Sequence, residues 1–464
     1  MENKNHKVKR CPKCGASELE FDVSKQKLVC NYCHSEFDQE KVENPDLDNL
    51  EGYKISDGSK AITNDSDLVV LKCDNCGAEV VINTKDNEFR CHWCHSILSI
   101  KSQVGNGAVP DLVLPFKITK EVAKTKMDEF LKRRYFFADK EFKKNYNIDN
   151  ITGVYFPYLL VDYNCHANYI GQAGHITNTY TRVVGKDRDG NDETETFYDI
   201  DLYDIEREFD VTIDDLEIES SSDKANRFSE EKTNNIINSI MPFDTENCVK
   251  YESNYLVGFN SEKRDLNVID VENKIDTTIR DVVRYNLNND LKFYDGGVRW
   301  DNEFQKMKGK QVSSAFLPVW LYSYKSKNNV VHYVAINART GETMGSVPMN
   351  EAKIVLMCIL IFLLSLIVPL IILIISLIVD KALLVAIIPA LCFFLPIGIA
   401  GIVVLILVVL GEYRNKRVRH SYESETKYNI TNMKRKDNKV DTLIGEEFSI
   451  IKGANNRKLF GKKL

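Results

Sequence analysis

Hydrophobic positions along this chain fall into three regimes. Up to about Gly107 they come in short runs broken by polar turns. Two of these, Leu19 to Val29 and Glu79 to Phe89, alternate in patches of apolar and polar residues around Ser24-Lys25-Gln26 and Asn83 to Asn87. Each predicts a short hairpin. From about Pro110 to Met349 longer mixed segments have the character of a globular unit, and from Ile354 to Leu410 the chain is an apolar block of 57 residues.

The block sets the compartment. Ile354 to Val379 holds no charge over 26 residues, and Ala382 to Leu410 none over 29. At about 1.5 Å per residue each reaches about 39 Å or more, enough to cross a hydrocarbon core of about 30 Å with tilt. As one helix the block would run about 85 Å, so a turn is expected at Asp380-Lys381. Pro369, Pro389 and Pro396 predict kinks rather than ends, and Cys358 and Cys392 read as packing residues. Arg414, Lys416, Arg417 and Arg419 follow, and the tail from Gly411 carries fourteen basic against seven acidic residues. That excess predicts a cytoplasmic tail. Met1 to Arg10 is polar and lysine-rich, so no secretory signal peptide is expected. The reading is a cell-membrane protein with two spans and both termini in the cytoplasm.

In the globular stretch, Thr119 to Arg134 has helical periodicity, with Thr119 as N-cap and Val122, Met127, Phe130 and Leu131 apolar. Two motifs recur. Leu114-Pro-Phe-Lys117 returns as Met241-Pro-Phe-Asp244, each expected to open a helical stretch. Phe156-Pro-Tyr-Leu-Leu-Val-Asp-Tyr163 returns as Leu317-Pro-Val-Trp-Leu-Tyr-Ser-Tyr324, each expected to begin an apolar strand, and a hairpin is expected at Arg339-Thr-Gly-Glu342. Two helix-then-strands halves, about 110–222 and 238–348, packing as one α+β domain over 104–350 is the economical inference.

Cysteines change the picture at the N-terminal end. Of twelve, eight form four Cys-x-x-Cys pairs: Cys11 and Cys14 with Cys30 and Cys33, then Cys73 and Cys76 with Cys91 and Cys94. Two-residue spacing lets both thiolates of a knuckle reach one ion, and a hairpin-length gap brings the second knuckle opposite to complete a tetrahedron. Gly15 and Gly77 fit the turn after each first knuckle. The expectation is two zinc ribbons, 1–45 and 71–103, each with one structural Zn2+, separated by an acidic linker over 46–70. Neither ribbon can fold on a core of its own, so the metal would supply most of its stability. His34 and His95 follow the last cysteine of each set and read as turn residues outside the coordination sphere, since four thiolates saturate the site. Cys165 and Cys248 stand alone, a distribution that fits metal binding in a reducing cytosol better than disulfides.

Charge then bears on function. Residues 1–40 hold seven charges of each sign and residues 71–101 four of each. Phosphate binding needs a basic patch, so nucleic acid is disfavoured as a partner. Residues 177–223 hold sixteen acidic and four basic side chains, read as a solvated strand pair turning at Lys186 to Glu193. Asp162, Cys165, His166 and His175 are close in sequence, but adjacent Cys165 and His166 point to opposite faces of a strand. No phosphate loop or nucleophile elbow accompanies them.

On the paired ribbons, the Leu-Pro-Phe and Phe-Pro-Tyr-Leu-Leu motifs and the terminal apolar hairpin, the chain resembles a family of bacterial membrane proteins with zinc ribbons of the transcription-factor-IIB type. The eight cysteines match that pattern, while His34 and His95 stand where glycine is more usual. Some members look like accessory anchors linked to flotillin-like proteins and to envelope-stress responses of the phage-shock type. The resemblance implies partners of those kinds and an adaptor role.

The expected architecture is therefore multidomain: two small β zinc ribbons, a duplicated α+β cytosolic domain, an all-α two-helix transmembrane hairpin over 353–411, and a basic cytosolic tail over 412–464. The expected function is a membrane-anchored, non-enzymatic zinc-ribbon adaptor or scaffold that recruits protein partners. A membrane-tethered nucleic-acid-binding or transcription-linked protein is the alternative, and an enzyme of unknown reaction the second. The sequence is compatible with an oligomer.

Overall fold

A computed structural model of the chain describes residues 10–17, 19–60, 68–84, 89–98, 103–104, 109–186, 192–222, 236–288, 291–326, 330–378, 385, 387–413 and 433–451. The turn expected at Asp380-Lys381, the bases at 414–419 and the tip of the hairpin at 187–191 lie outside these residues.

The first cysteine cluster is a three-stranded sheet of β1 (Leu19–Asp22), β2 (Lys27–Cys30) and β3 (Glu36–Phe37), with the β1–β2 hairpin turning on residues 23–26 as expected. β4 (Gly52–Ile55) and a one-turn helix α1 (Asp57–Lys60) follow. The second cluster contributes β5 (Leu68–Lys72) and β6 (Glu79–Asn83), with β7 (Gln103–Val104) beside β5. Next come β8 (Leu112–Val113), α2 (Lys120–Lys132), α3 (Lys140–Asn145) and two long strands, β9 (Thr152–Lys186) and β10 (Asp192–Glu219). α4 (Ile236–Ser239), β11 (Val249–Lys250), β12 (Asn260–Glu262) and α5 (Val268–Asn288) precede β13 (Gly297–Lys325), β14 (Val331–Asn337) and β15 (Thr343–Gly345). Two apolar helices, α6 (Glu351–Ile378) and α7 (Ile387–Glu412), and a strand β16 (Met433–Ile451) complete the elements of the described residues.

β9 and β13 pair antiparallel and form the spine of a large sheet. Phe156 lies opposite Leu317 and Pro157 opposite Phe316, so the two Pro-containing strand motifs face each other across the ladder. Along this spine successive residues serve different cores, as the two-residue period of a strand requires. Tyr155, Phe316, Trp320 and Tyr322 pack with α2 and the first cluster, while Val154, Leu317, Val319 and Leu321 pack with the second cluster. The two cysteine clusters thus sit on opposite faces of one sheet. Farther along β9, residues such as Leu159, Val161 and Tyr169 meet Val268, Val271, Ile275, Ile279 and Val282 of α5, spaced three and four apart as one helical stripe.

Arg339 ties the recurrent Pro-Phe motifs together. Its guanidinium grips Asp244 through two 2.7 Å contacts and donates to the Pro115 carbonyl at 3.1 Å. The hairpin expected at 339–342 is present between β14 and β15.

Several details differ from the sequence reading. Only a three-residue 3-10 turn, Thr245–Asn247, follows Met241-Pro-Phe-Asp244, and the second strand motif lies near the end of a strand that began at Gly297. α2 spans Lys120–Lys132 with Thr119 extended at its N-cap, and Val122 faces solvent while Ala123, Met127 and Leu131 are buried. The stretch 46–60 is not a solvated linker. β4 runs parallel to β13, and the carboxylate of Asp111 holds the segment by accepting from Ser56 Oγ and the Gly58 amide. The second cluster is likewise no isolated unit, because β6 pairs antiparallel with β12 and joins the large sheet. An internal ladder satisfies more backbone groups than water-exposed strand edges would, which is why apolar Leu68–Lys72 and Glu79–Asn83 are absorbed.

α6 and α7 are each long and apolar enough to cross a membrane. Pro369 and Pro396 lie inside them, and they pack closely: a Cβ at Gly398 would meet Ser365 Cβ at 2.6 Å. Their outward surfaces expose many Val, Leu, Ile and Phe side chains, among them Leu356, Leu363, Val404 and Leu407, and large exposed apolar patches mark contact with lipid or protein.

Candidate metal centres

All four Cys-x-x-Cys segments fold into the same turn. The amide of the residue after the second cysteine donates to the carbonyl of the first: Gly15 to Cys11, His34 to Cys30, Gly77 to Cys73 and His95 to Cys91, at 2.7–2.8 Å. Closing that turn needs a left-handed residue, and the φ values are 75°, 56°, 74° and 58°. The two glycines adopt it freely. His34 and His95 adopt it too, so their departure from glycine leaves the knuckle geometry intact.

The turns aim four thiols at one point in each cluster. Sγ atoms of Cys11 and Cys33 are 3.5 Å apart, and those of Cys14 and Cys30 are 3.6 Å apart. In the second cluster Cys73 and Cys94, and Cys76 and Cys91, are each 3.5 Å apart. A tetrahedron with metal–sulfur bonds of about 2.3 Å has edges of about 3.8 Å, so both sets fit such an ion with small adjustments. None of the cysteines forms a disulfide.

The thiols are already polarised unequally. Ser35, through its hydroxyl and then its amide, pulls Cys33 down to about 6. The Cys91 thiol pulls Cys73 down to about 6, while Cys91 itself is pushed up, first by its hydrogen bond to Cys73. Four sulfurs this close share protons unevenly unless a cation replaces them. A divalent ion would take all four as thiolates and leave no position for water, the arrangement of a structural rather than a catalytic site.

The two sets are held differently. In the first, Phe21 packs on Tyr255 at 5.3 Å between ring centroids and Gln26 Nε2 donates to the Phe116 carbonyl at 2.8 Å. In the second, a buried polar cluster supplements the β6–β12 ladder. Glu262 Oε1 accepts from Trp93 Nε1 at 2.5 Å and meets His92 Nε2 at 2.9 Å, and both partners lie within the last knuckle. Ser323 Oγ donates to the His92 carbonyl. His95 Nε2, 2.8 Å from the Ser323 carbonyl, must carry the proton of that bond. Burial holds His95 below the ordinary histidine range, which keeps the ring neutral. Sequence reasoning named His95 only as a turn residue and missed His92, Trp93 and Glu262. Glu262 is 168 residues from Cys94, so no local pattern links them.

The other sequence candidates do not converge. Cys165 is fully buried, whereas neighbouring His166 is partly exposed and meets Asp210 at 3.0 Å. His175 meets the Phe293 carbonyl at 2.8 Å and stacks on that ring. Asp162 gathers with Asp214 and Asp215, and burial first, then the Asp215 charge, pushes it up to about 7. The acidic segment is not an open strand pair. β16, from the basic tail, runs antiparallel to β10 from Met433 opposite Ile213 to Ile451 opposite Thr196. Lys436 lies opposite Asp210 and Arg207 pairs with Asp441, so two charge-biased segments partner each other.

Among known proteins, the chain is similar to "Uncharacterized protein YdjG" of Bacillus subtilis (strain 168), 23% identical over 347 residues that span 74% of this chain and 91% of that protein. No family model matches the chain. No solved structure matches it either.

Proposed function

We propose that this protein is a membrane-anchored zinc-ribbon adaptor. Each four-cysteine set holds one structural Zn2+, the halves about 110–222 and 238–348 are copies of one unit, and α6 and α7 form a hairpin across the cell membrane. Both flanks of the hairpin face the cytoplasm. The pairing of β16 with β10 supports that topology, because the chain beyond α7 returns to the domain that precedes α6. The facing motifs at Phe156 and Leu317 support the duplication.

The observation that carries the adaptor reading is the outer surface of the knuckles. The metal sets are closed and their inner faces pack on the sheet, yet Tyr32 in one knuckle is 73% exposed and Ile97 beside another is 76% exposed. Large apolar side chains held outward on a metal-braced turn are suited to contact with a protein, and the flanking charges do not favour phosphate. Following the family resemblance, the partner class is a flotillin-like or phage-shock-type protein. A photocrosslinking residue at Tyr32 or Ile97 of the full chain in native membranes tests this. The expected result is one recurring protein adduct from both positions, lost when Cys30→Ser is combined with the Tyr32 probe. Adducts no stronger than those from a probe at exposed Arg299 would refute it.

A further inference from the structure

The turn joining α2 to α3 is the floor on which both apolar helices end. Phe137 donates its amide to Tyr413 Oη at 2.7 Å and accepts at its carbonyl from the Asn350 amide at 2.7 Å. Arg134 Nε donates to the Glu412 carbonyl at 2.5 Å. These bonds hold residues 133–138 level with the first residues of α6 and the last of α7.

Arg134 and Phe137 are buried in this junction, but Tyr135 and Phe136 between them are 53% and 55% exposed. Each exposed ring carries an ammonium. Lys143 Nζ lies 4.4 Å from the Tyr135 centroid, and Lys353 Nζ lies 4.1 Å from that of Phe136. The two cations sense one another: Lys143 is held below the ordinary lysine range by burial first and then by the Lys353 charge. Arg133 and Lys140 add exposed positive charge. Among the carboxylates here, Asp139 is occupied in capping α3 through the amides of Glu141 and Phe142, Glu412 lies 3.9 Å from Arg134, and Glu141 and Glu351 stand in the first turns of α3 and α6.

We propose that Lys143 and Lys353, seated on Tyr135 and Phe136 with Arg133 and Lys140 alongside, bind the phosphate of an anionic lipid headgroup at the foot of the hairpin. The site rests on the reading that α6 and α7 span a bilayer. Tyrosine favours the headgroup level, where its apolar ring and polar hydroxyl are both satisfied. Lys353 Nζ also donates to the Phe136 carbonyl at 2.8 Å, which fixes that cation in place, and a phosphate beside both ammoniums would replace their mutual repulsion with two attractions. Continuity with the apolar surface of α6 and α7 selects a lipid over a free phosphate, because the acyl chains would lie along that surface.

The full chain in nanodiscs of phosphatidylcholine with a minor fraction of phosphatidylglycerol provides the test, by native mass spectrometry of retained lipids. Wild type should retain phosphatidylglycerol in excess of its bulk share, and that excess should fall about fivefold for each lysine neutralised in Lys143→Gln with Lys353→Gln. The Lys→Arg pair should keep it. Arg133→Gln with Lys140→Gln, at exposed positions that burden folding least, should lower it to a smaller extent. Wild type retaining lipids in the bulk ratio, or neutral variants keeping the full excess, would overturn the site alone. Failure to enter nanodiscs, with release from native membranes by alkaline carbonate, would overturn the spanning reading and the site with it.

Discussion

The two cysteine clusters share one knuckle turn and one sulfur geometry, yet they depend on the rest of the molecule in different ways. The first is a separate three-stranded sheet that touches the domain through side chains such as Phe21 and Gln26. The second shares a ladder with β12, and its last knuckle is pinned by Glu262 and Ser323. The same metal chemistry would therefore have unequal consequences: an ion in the first cluster would brace a local unit, while one in the second would brace the large sheet.

The largest expected effect breaks that symmetry outright. Cys91→Ser should unfold β5, β6 and their neighbours in the large sheet, because the ion's contribution, on the order of 10 kcal/mol in small zinc peptides, supports a shared ladder. Cys30→Ser should release only residues up to about Glu40. Hydrogen exchange of the full chain, read at β9 and β13, distinguishes the two, and equal protection loss in both variants would erase the comparison.

A smaller effect isolates the anchor from the metal. Glu262→Ala strips His92 and Trp93 of a buried partner and should cost roughly 3 kcal/mol, with both ions retained. Denaturant unfolding with metal analysis measures it. A smaller cost is expected on the first cluster, where Gln26→Ala removes the Nε2 hydrogen bonds to the Val23 and Phe116 carbonyls, each worth about 1 kcal/mol.

Acid should move the clusters and the sheet between them in opposite directions. Protonating thiolates weakens metal binding as pH falls. Asp162, in β9, is raised to about 7 in the folded chain against an ordinary value near 3.8, so the folded state holds the extra proton. Its contribution is fully present below the ordinary value and is lost as pH rises through about 7. Asp162→Asn, which can still accept from the Asp215 amide, should add on the order of 2 kcal/mol at pH 8 and nothing at pH 4. Unfolding of both proteins across that range provides the check.

The smallest pair of effects lies at the left-handed turn residues. His34→Gly should stabilise the first cluster by about 1 kcal/mol through relief of backbone strain. His95→Gly gains the same relief but loses the Ser323 bond and the Tyr322 stack, so it should be neutral or destabilising. Melting of the two variants, each compared with wild type, gives opposite or unequal signs if the anchors differ as described.

Much of this was legible in the chain because its signals are local. Cys-x-x-Cys spacing fixes a turn within five residues, and an uncharged run needs no partner to declare itself. The recurring Pro motifs likewise marked apolar strand segments, though not that these would face each other in the β9–β13 spine. What escaped was non-local. Gly52–Ile55 reads as linker because its strand partner lies at 309–312, and at Gly309 a Cβ would strike the Leu50 carbonyl. The acidic segment reads as solvated because β16 is more than 200 residues away. Glu262 carries no mark in sequence of the knuckle it serves. Val122 falls on the exposed side because periodicity fixes a stripe only to within one neighbouring position, and Ala123 takes the buried place.

The most direct test of the account is metal release from the intact, full-length chain. Native mass spectrometry should find two zinc ions per chain, and a chelator should remove them in two steps. The first should leave hydrogen exchange in β9, β12 and β13 unchanged, and the second should coincide with loss of protection there. Fewer than two ions per chain, or release of both with the large sheet still protected, would contradict it.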